Sequence, residues 1–263
     1  MSKTMDTVHT RQRAGFVVIL ITLLMLSAGQ AFATDKRALL EELYDNARLE
    51  RQLQWVRASM TLNSRDYELP GEVVETVNKI VDVRYRQDYF RDSMIATLDE
   101  ALSVGELLKL IDWYNSPLGQ KVLHLEMVAN DPANGMRMQA YIEDKLSSQL
   151  PRTSRIRLIE ELMETLDAVE LGTELAASAS VGAQRLLQEV MPRDGVPVRG
   201  SQILKAREKP GIRMGMTDKM RSVFLYTYRA MPDKEIRSYL NFAGSTAMQN
   251  FQRGQIQAMA RML

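Results

Sequence analysis

Cysteine is absent from this 263-residue chain and histidine occurs only twice. The first absence excludes thiol nucleophiles, Cys-ligated zinc, dithiol redox chemistry and disulfide bracing, so the fold must be held by packing alone. The scarcity of histidine excludes most metal sites and catalytic dyads. His9 lies in an expected leader, which leaves His124 with Gln120 and Met127 at helical spacing and no carboxylate there to complete a site. No Gly-x-Ser-x-Gly elbow, phosphate-cradling glycine loop or dinucleotide fingerprint occurs. The paired acids Glu41-Glu42, Asp99-Glu100 and Glu160-Glu161 are neighbours about 100° apart on a helix, which suits solvated faces better than acid–base work. No catalytic residue, cofactor site or metal site is therefore expected, and the protein reads as a non-enzyme.

Long apolar runs are also lacking, with one exception. Ala14 to Gly29 is an uncharged, predominantly apolar run of sixteen that follows a lead-in with His9, Arg11 and Arg13 and precedes Ala31-Phe32-Ala33. The run is short for a bilayer span of about 20 residues, and the small-x-small box suits signal peptidase. Residues 1–33 are therefore expected to be a Sec-type leader cut between Ala33 and Thr34, with a periplasmic product. The leader takes three of the 34 basic and one of the 33 acidic residues, so 31 face 32 in the remainder. A net charge of −1 gives no electrostatic reason to expect nucleic acid.

What is present is helical periodicity almost throughout. Leu39, Leu43, Ala47, Leu53, Val56 and Met60 mark a first amphipathic stretch. Val73, Val77, Ile80 and Val81 mark a second, which continues past a break near Gln87 to Met94, Ile95 and Leu98. Ser103-Val104-Gly105-Glu106 is a capping-box pattern. Ser116-Pro117 and Asp131-Pro132 each pair an N-cap with a proline at the first helical position. The fold class expected is all-α.

The most distinctive string is the corner Trp113-Tyr114-Asn115-Ser116-Pro117-Leu118-Gly119-Gln120-Lys121. An echo follows, with Glu106, Trp113, Ser116 and Gln120 matched by Glu235, Phe242, Ser245 and Gln249. Leu40-Glu41-Glu42-Leu43 is likewise matched by Ile159-Glu160-Glu161-Leu162. These matches predict an internal duplication, with a first helical unit at 34–150 and a second at 151–263, packed as a bundle-like array. The offset grows from 119 to 129 between the anchors, and the extra residues are assigned to a loop at 191–215, where Pro192, Pro197, Pro210 and four glycines interrupt periodicity and Ser201 to Glu208 is a candidate short helix. Trp113, Tyr114, Ser116, Pro117, Gly119, Gln120 and Lys121 form either a folding corner or a recognition surface. The echo favours the folding corner.

The corner also resembles the signature of a bacterial exported family, "domain of unknown function" number twenty fifty-nine. The match is Glu106-Leu107 followed by Trp113-Tyr114-Asn115-Ser116-Pro117-Leu118-Gly119-Gln120-Lys121, with Trp113 where Phe is commoner. The resemblance implies a secreted or periplasmic helical protein and transfers no catalytic residue.

The stretch at 191–215 is basic, with Arg193, Arg199, Lys205, Arg207, Lys209 and Arg213 against Asp194 and Glu208, and holds no aromatic residue. Stacking on nucleic acid is thus poorly supported, while an acidic partner or lipid headgroups at a membrane periphery fit the charge. The 17 methionines suit either helical cores or an adaptable apolar surface. The expected function is a periplasmic binding or scaffolding protein contacting an envelope protein or component. A carrier of an apolar small molecule or lipid is the first alternative, and a hydrolase using His124 the second.

Overall fold

The computed structural model describes residues 36–60, 70–191 and 201–262. The leader, Arg193 and Arg199 lie outside them. The described residues form an all-α, bundle-like array without strands. In chain order the helices are α1 (36–46), α2 (Leu49–Met60), α3 (Gly71–Arg84), α4 (Gln87–Ala101), α5 (Val104–Asn115) and α6 (Pro117–Asn130). There follow α7 (Gly135–Tyr141), α8 (Thr153–Thr165), α9 (Ala168–Val190), α10 (Ser201–Thr227), α11 (Asp233–Ala243) and α12 (Thr246–Met262).

The expected caps form. Ser103 Oγ accepts from the Glu106 N–H, and the Glu106 carboxylate accepts from the Ser103 N–H at 2.8 Å, which completes the capping box. Asp131 accepts from the Ala133 N–H at 2.9 Å and opens a short 3₁₀ turn that leads into α7. The break expected near Gln87 falls at Tyr85–Arg86.

One expectation fails. Residues 201–215 are not loop but the first half of α10, with Pro210 inside the helix. An interior proline costs roughly 3 kcal/mol, and the hairpin with α9 offsets it. Lys209 pairs with Glu170 and Glu174 on α9, and Arg213 pairs with Glu170. Glu174 meeting Lys209 while Glu170 meets Arg213 makes the two helices antiparallel. Met216 and Met220 lie over Gly172, where a Cβ would come within 2.9 Å of the Met220 methyl. Much of the extra length of the second half thus lengthens helices.

The hydrophobic core forms two clusters, and neither respects the boundary at residue 150. The first joins α1 to α5 with Phe251, Ala258, Met259 and Met262 of α12. The second joins α8, α10 and α11 with Val122 of α6. Each half therefore lends its corner-following helix to the other. Gly254 permits the closest such approach, because a Cβ there would meet Leu98 Cδ2 of α4 at 2.9 Å.

Small contacts recur with the same offsets. Arg48 and Asp167, separated by 119 positions, are the two non-glycine residues with positive φ among the described residues, at 54° and 46°. Each ends a helix whose last amide bonds four residues back, Ala47 to Leu43 at 2.9 Å and Leu166 to Leu162 at 3.0 Å. Lys36 donates to the Asp99 carbonyl at 2.6 Å, and Arg155 donates to the Tyr228 carbonyl at 2.6 Å. All four residues obey the two offsets read from the sequence.

Candidate functional site

The corner is built from its own sequence. Ser116 Oγ accepts from the Gly119 N–H at 3.0 Å, and Pro117 takes the first helical position, where its missing N–H costs nothing. Gly119 is required, because a Cβ there would lie 1.9 Å from the Trp113 carbonyl oxygen. Gln120 donates back to the Tyr114 carbonyl. In the echo, Ser245 Oγ accepts from the Met248 N–H at 3.3 Å and Gln249 donates to the Ala243 carbonyl at 2.9 Å.

The two corners meet face to face. The Trp113 and Phe242 rings stack with centroids 4.2 Å apart and planes 9° from parallel, and Tyr239 stacks on Trp113 at 5.6 Å. Trp113 packs against both hydrophobic clusters. On either side, the acid at the entry of one helix meets the partner corner. Lys121 pairs with Glu235 at 2.5 Å, and Asn250 donates to Glu106 at 2.5 Å. Hydrogen bonds from the Ser103 hydroxyl and N–H, with the Asn250 amide adding to them, hold the Glu106 carboxyl below its usual range. Trp113, Ser116, Pro117, Gly119, Gln120 and Lys121 are thus joined in one seam, and their polar groups are spent on holding it.

Tyr114 borders a cluster that sequence reasoning missed. Glu126 Oε1 accepts from Tyr228 at 2.7 Å and from Tyr239 at 3.0 Å. Burial pushes the Glu126 carboxyl above the usual range, and the two phenol donors only partly oppose it. Burial also raises the phenols of Tyr114, Tyr228 and Tyr239, with the Glu126 carboxyl adding to each shift. Leu125-Glu126-Met127 on α6 gives no local reason to set Glu126, half-buried, among phenols, because the tyrosines come from α5, from the turn after α10 and from α11.

The basic stretch separates into parts. Lys209 and Arg213 are committed to Glu170 and Glu174, and Lys205 and Arg207 lie in the first turns of α10. The Lys209 and Arg213 pairs hold the Glu170 carboxyl low. His124 is exposed on α6. Among the described residues, no group of three or more His, Cys, Asp or Glu could hold a metal ion. No helix among them is long and apolar enough to cross a membrane.

An open cleft lies elsewhere, between α2 and the start of α4. Its volume is about 470 Å³, and Glu50, Arg57, Arg86, Gln87, Asp88 and Arg91 line it. Arg86 forks onto Asp88 at 2.5 and 3.1 Å, Arg57 pairs with Asp82, and Glu50 accepts from Tyr44 at 2.7 Å. The Arg91 guanidinium lies 5.3 Å over the Tyr44 ring and has no carboxylate partner among the described residues.

Residues 88–147, from α4 to just past α7, match the model of a family described as "Uncharacterized protein conserved in bacteria (DUF2059)". The corner lies inside this stretch, and the family is the one the corner motif resembles. No curated protein and no solved structure matches the chain.

Proposed function

We propose that this is an exported bacterial protein that acts without catalysis, as a duplicated helical module binding or scaffolding a component of the cell envelope. The observation that carries the reading is the Trp113–Phe242 seam. Equivalent residues of the two halves meet there, and equivalent acids, Glu106 and Glu235, reach across it to equivalent positions, Asn250 and Lys121. Such paired contacts are what a duplicated unit leaves when its two copies fold around one another. The distinctive polar residues are thereby spent on rigidity, and the interlocked halves form a stiff platform with its surface left for a partner. The leader pattern of residues 1–33 supports export to the periplasm.

Expression of the full-length chain in a bacterium tests the reading in two measurements. The mass of the product in the periplasmic fraction should correspond to a chain beginning at Thr34. Recovery of the uncut chain from the cytoplasm would refute export. Native mass spectrometry of the same sample should show protein alone or bound to a macromolecule. Stoichiometric apolar cargo released on denaturation would instead establish the carrier reading. Restoration of a deletion phenotype by His124→Ala is expected, and its failure would return the hydrolase to consideration.

A further inference from the structure

The recurrence between the halves supplies an internal control for the cleft. Under the offset of 119, the α2 residues Glu50, Leu53 and Arg57 correspond to Val169, Gly172 and Ala176 of α9. Under the offset of 129, Gln87 and Arg91 of α4 correspond to Met216 and Met220 of α10. In the second half this seam is shut, since Met216 is buried and its sulfur lies 3.0 Å from where a Gly172 Cβ would stand. In the first half the position of Gly172 is taken by Leu53, 2% exposed, and beside it the cleft lies open, with Arg57, Gln87 and Arg91 where Ala176, Met216 and Met220 stand in the second. Packing alone does not explain that difference. Arginines that serve only as structure would gain from the apolar closure the fold already achieves in its other half.

Of the cleft's guanidiniums, Arg57 is paired with Asp82 and Arg86 with Asp88, and Glu50 is occupied by the Tyr44 hydroxyl. Arg91 lies over the Tyr44 ring at 5.3 Å and is the lining guanidinium without a carboxylate partner among the described residues. Arg86 and Asp88 bind each other at the opening of α4, where the helix dipole favours negative charge and the Asp88 carboxylate also accepts from the Tyr89 N–H at 3.0 Å. Two large apolar side chains stand out beside this opening, Val83 at 75% exposure and Tyr89 at 46%.

We infer that the cleft between α2 and α4 binds a phosphate group, with Arg91 as the primary contact and with Arg57 and Arg86 exchanging their carboxylate partners Asp82 and Asp88 for it. A phosphate offers enough oxygens to engage several guanidinium forks at once, which a single carboxylate does not. The group arrives either on a soluble molecule or on a phospholipid headgroup, and in the second case Val83 and Tyr89 would rest against the lipid. This deepens the binding reading above by naming a ligand chemistry. It can fail separately, because export and the bare native mass do not depend on it.

The test titrates the full chain with inorganic phosphate, followed by backbone amide shifts, and sediments it with vesicles of phosphatidylglycerol or of phosphatidylcholine. Three variants accompany it, namely Arg91→Gln, Arg86→Gln, and Arg57→Ala combined with Arg91→Met, which installs the second half's residues. Phosphate should shift amides at the start of α4, and Arg91→Gln should weaken the effect about tenfold. The double variant should abolish it while retaining the parent's circular dichroism and melting temperature. Selective sedimentation with phosphatidylglycerol, lost in the same variants, would identify the headgroup as the source. Amide shifts without vesicle binding would identify a soluble phosphate. Neither response, or a response that Arg91→Gln and Arg86→Gln leave unchanged, overturns the inference.

Discussion

Truncating the ring at the centre of the seam gives the sharpest test of how the two halves are joined. Trp113 lies between Tyr239 and Phe242 and packs against both hydrophobic clusters. A fully buried Trp or Phe cut to Ala typically costs about 3–5 kcal/mol. Both rings here are only half-buried, so Trp113→Ala is expected to cost about 3 kcal/mol and Phe242→Ala about 2 kcal/mol. Near-parallel rings at 4.2 Å add about 0.5–1.5 kcal/mol beyond their buried area. The double variant should therefore lose about 1 kcal/mol less than the two single losses added together. Urea unfolding followed by far-ultraviolet circular dichroism measures this, since removing Trp113 would disturb a fluorescence signal. Because Trp113 bridges the clusters, one transition should move as a whole, with its slope unchanged. Coupling below about 0.3 kcal/mol would refute the reasoning. So would two separated transitions of which Trp113→Ala shifts only one.

Other perturbations follow from single contacts. Gly119→Ala drives a Cβ into the Trp113 carbonyl, which cannot swing aside, and should cost about 3 kcal/mol or more in denaturant unfolding. Gly215→Ala meets open space in mid-helix and should instead raise stability by about 0.5–1 kcal/mol by the same measurement. Lys209→Met removes the ammonium that the Glu170 and Glu174 carboxylates share. Its thermal cost should correspond to about 2 kcal/mol, less than for a fully buried pair because Lys209 is a third exposed. Glu126 has a folded-state pKa above its unfolded value, so its contribution is fully present below about pH 4.3 and is lost as pH rises through the raised value. Glu126→Gln keeps an oxygen for Tyr228 and Tyr239, and its melting temperature should gain on the parent's from pH 4 to pH 8. A constant difference across that range would show that Glu126 is ionised in the fold as it is in water.

The local devices were legible because they act over three or four residues. The Ser103–Glu106 box, the Ser116-Pro117 corner, the Asp131-Pro132 turn and the break before Gln87 are short-range bonding problems with few solutions. Pro210 misled for the same reason. Its local cost is real, but the ion pairs that offset it come from Glu170 and Glu174, some forty residues away in the chain.

The sequence by itself determined the helical class and the placement of caps and corners. Each of these follows from periodicity and short-range backbone bonding. The tertiary structure alone decided which helix packs on which, and so placed α6 and α12 each in the other half's core. It also turned Trp113 towards Phe242 and set the half-buried Glu126 among tyrosines. Those outcomes depend on side chains over 100 positions apart, and helical periodicity specifies which face is apolar but not which apolar face will cover it.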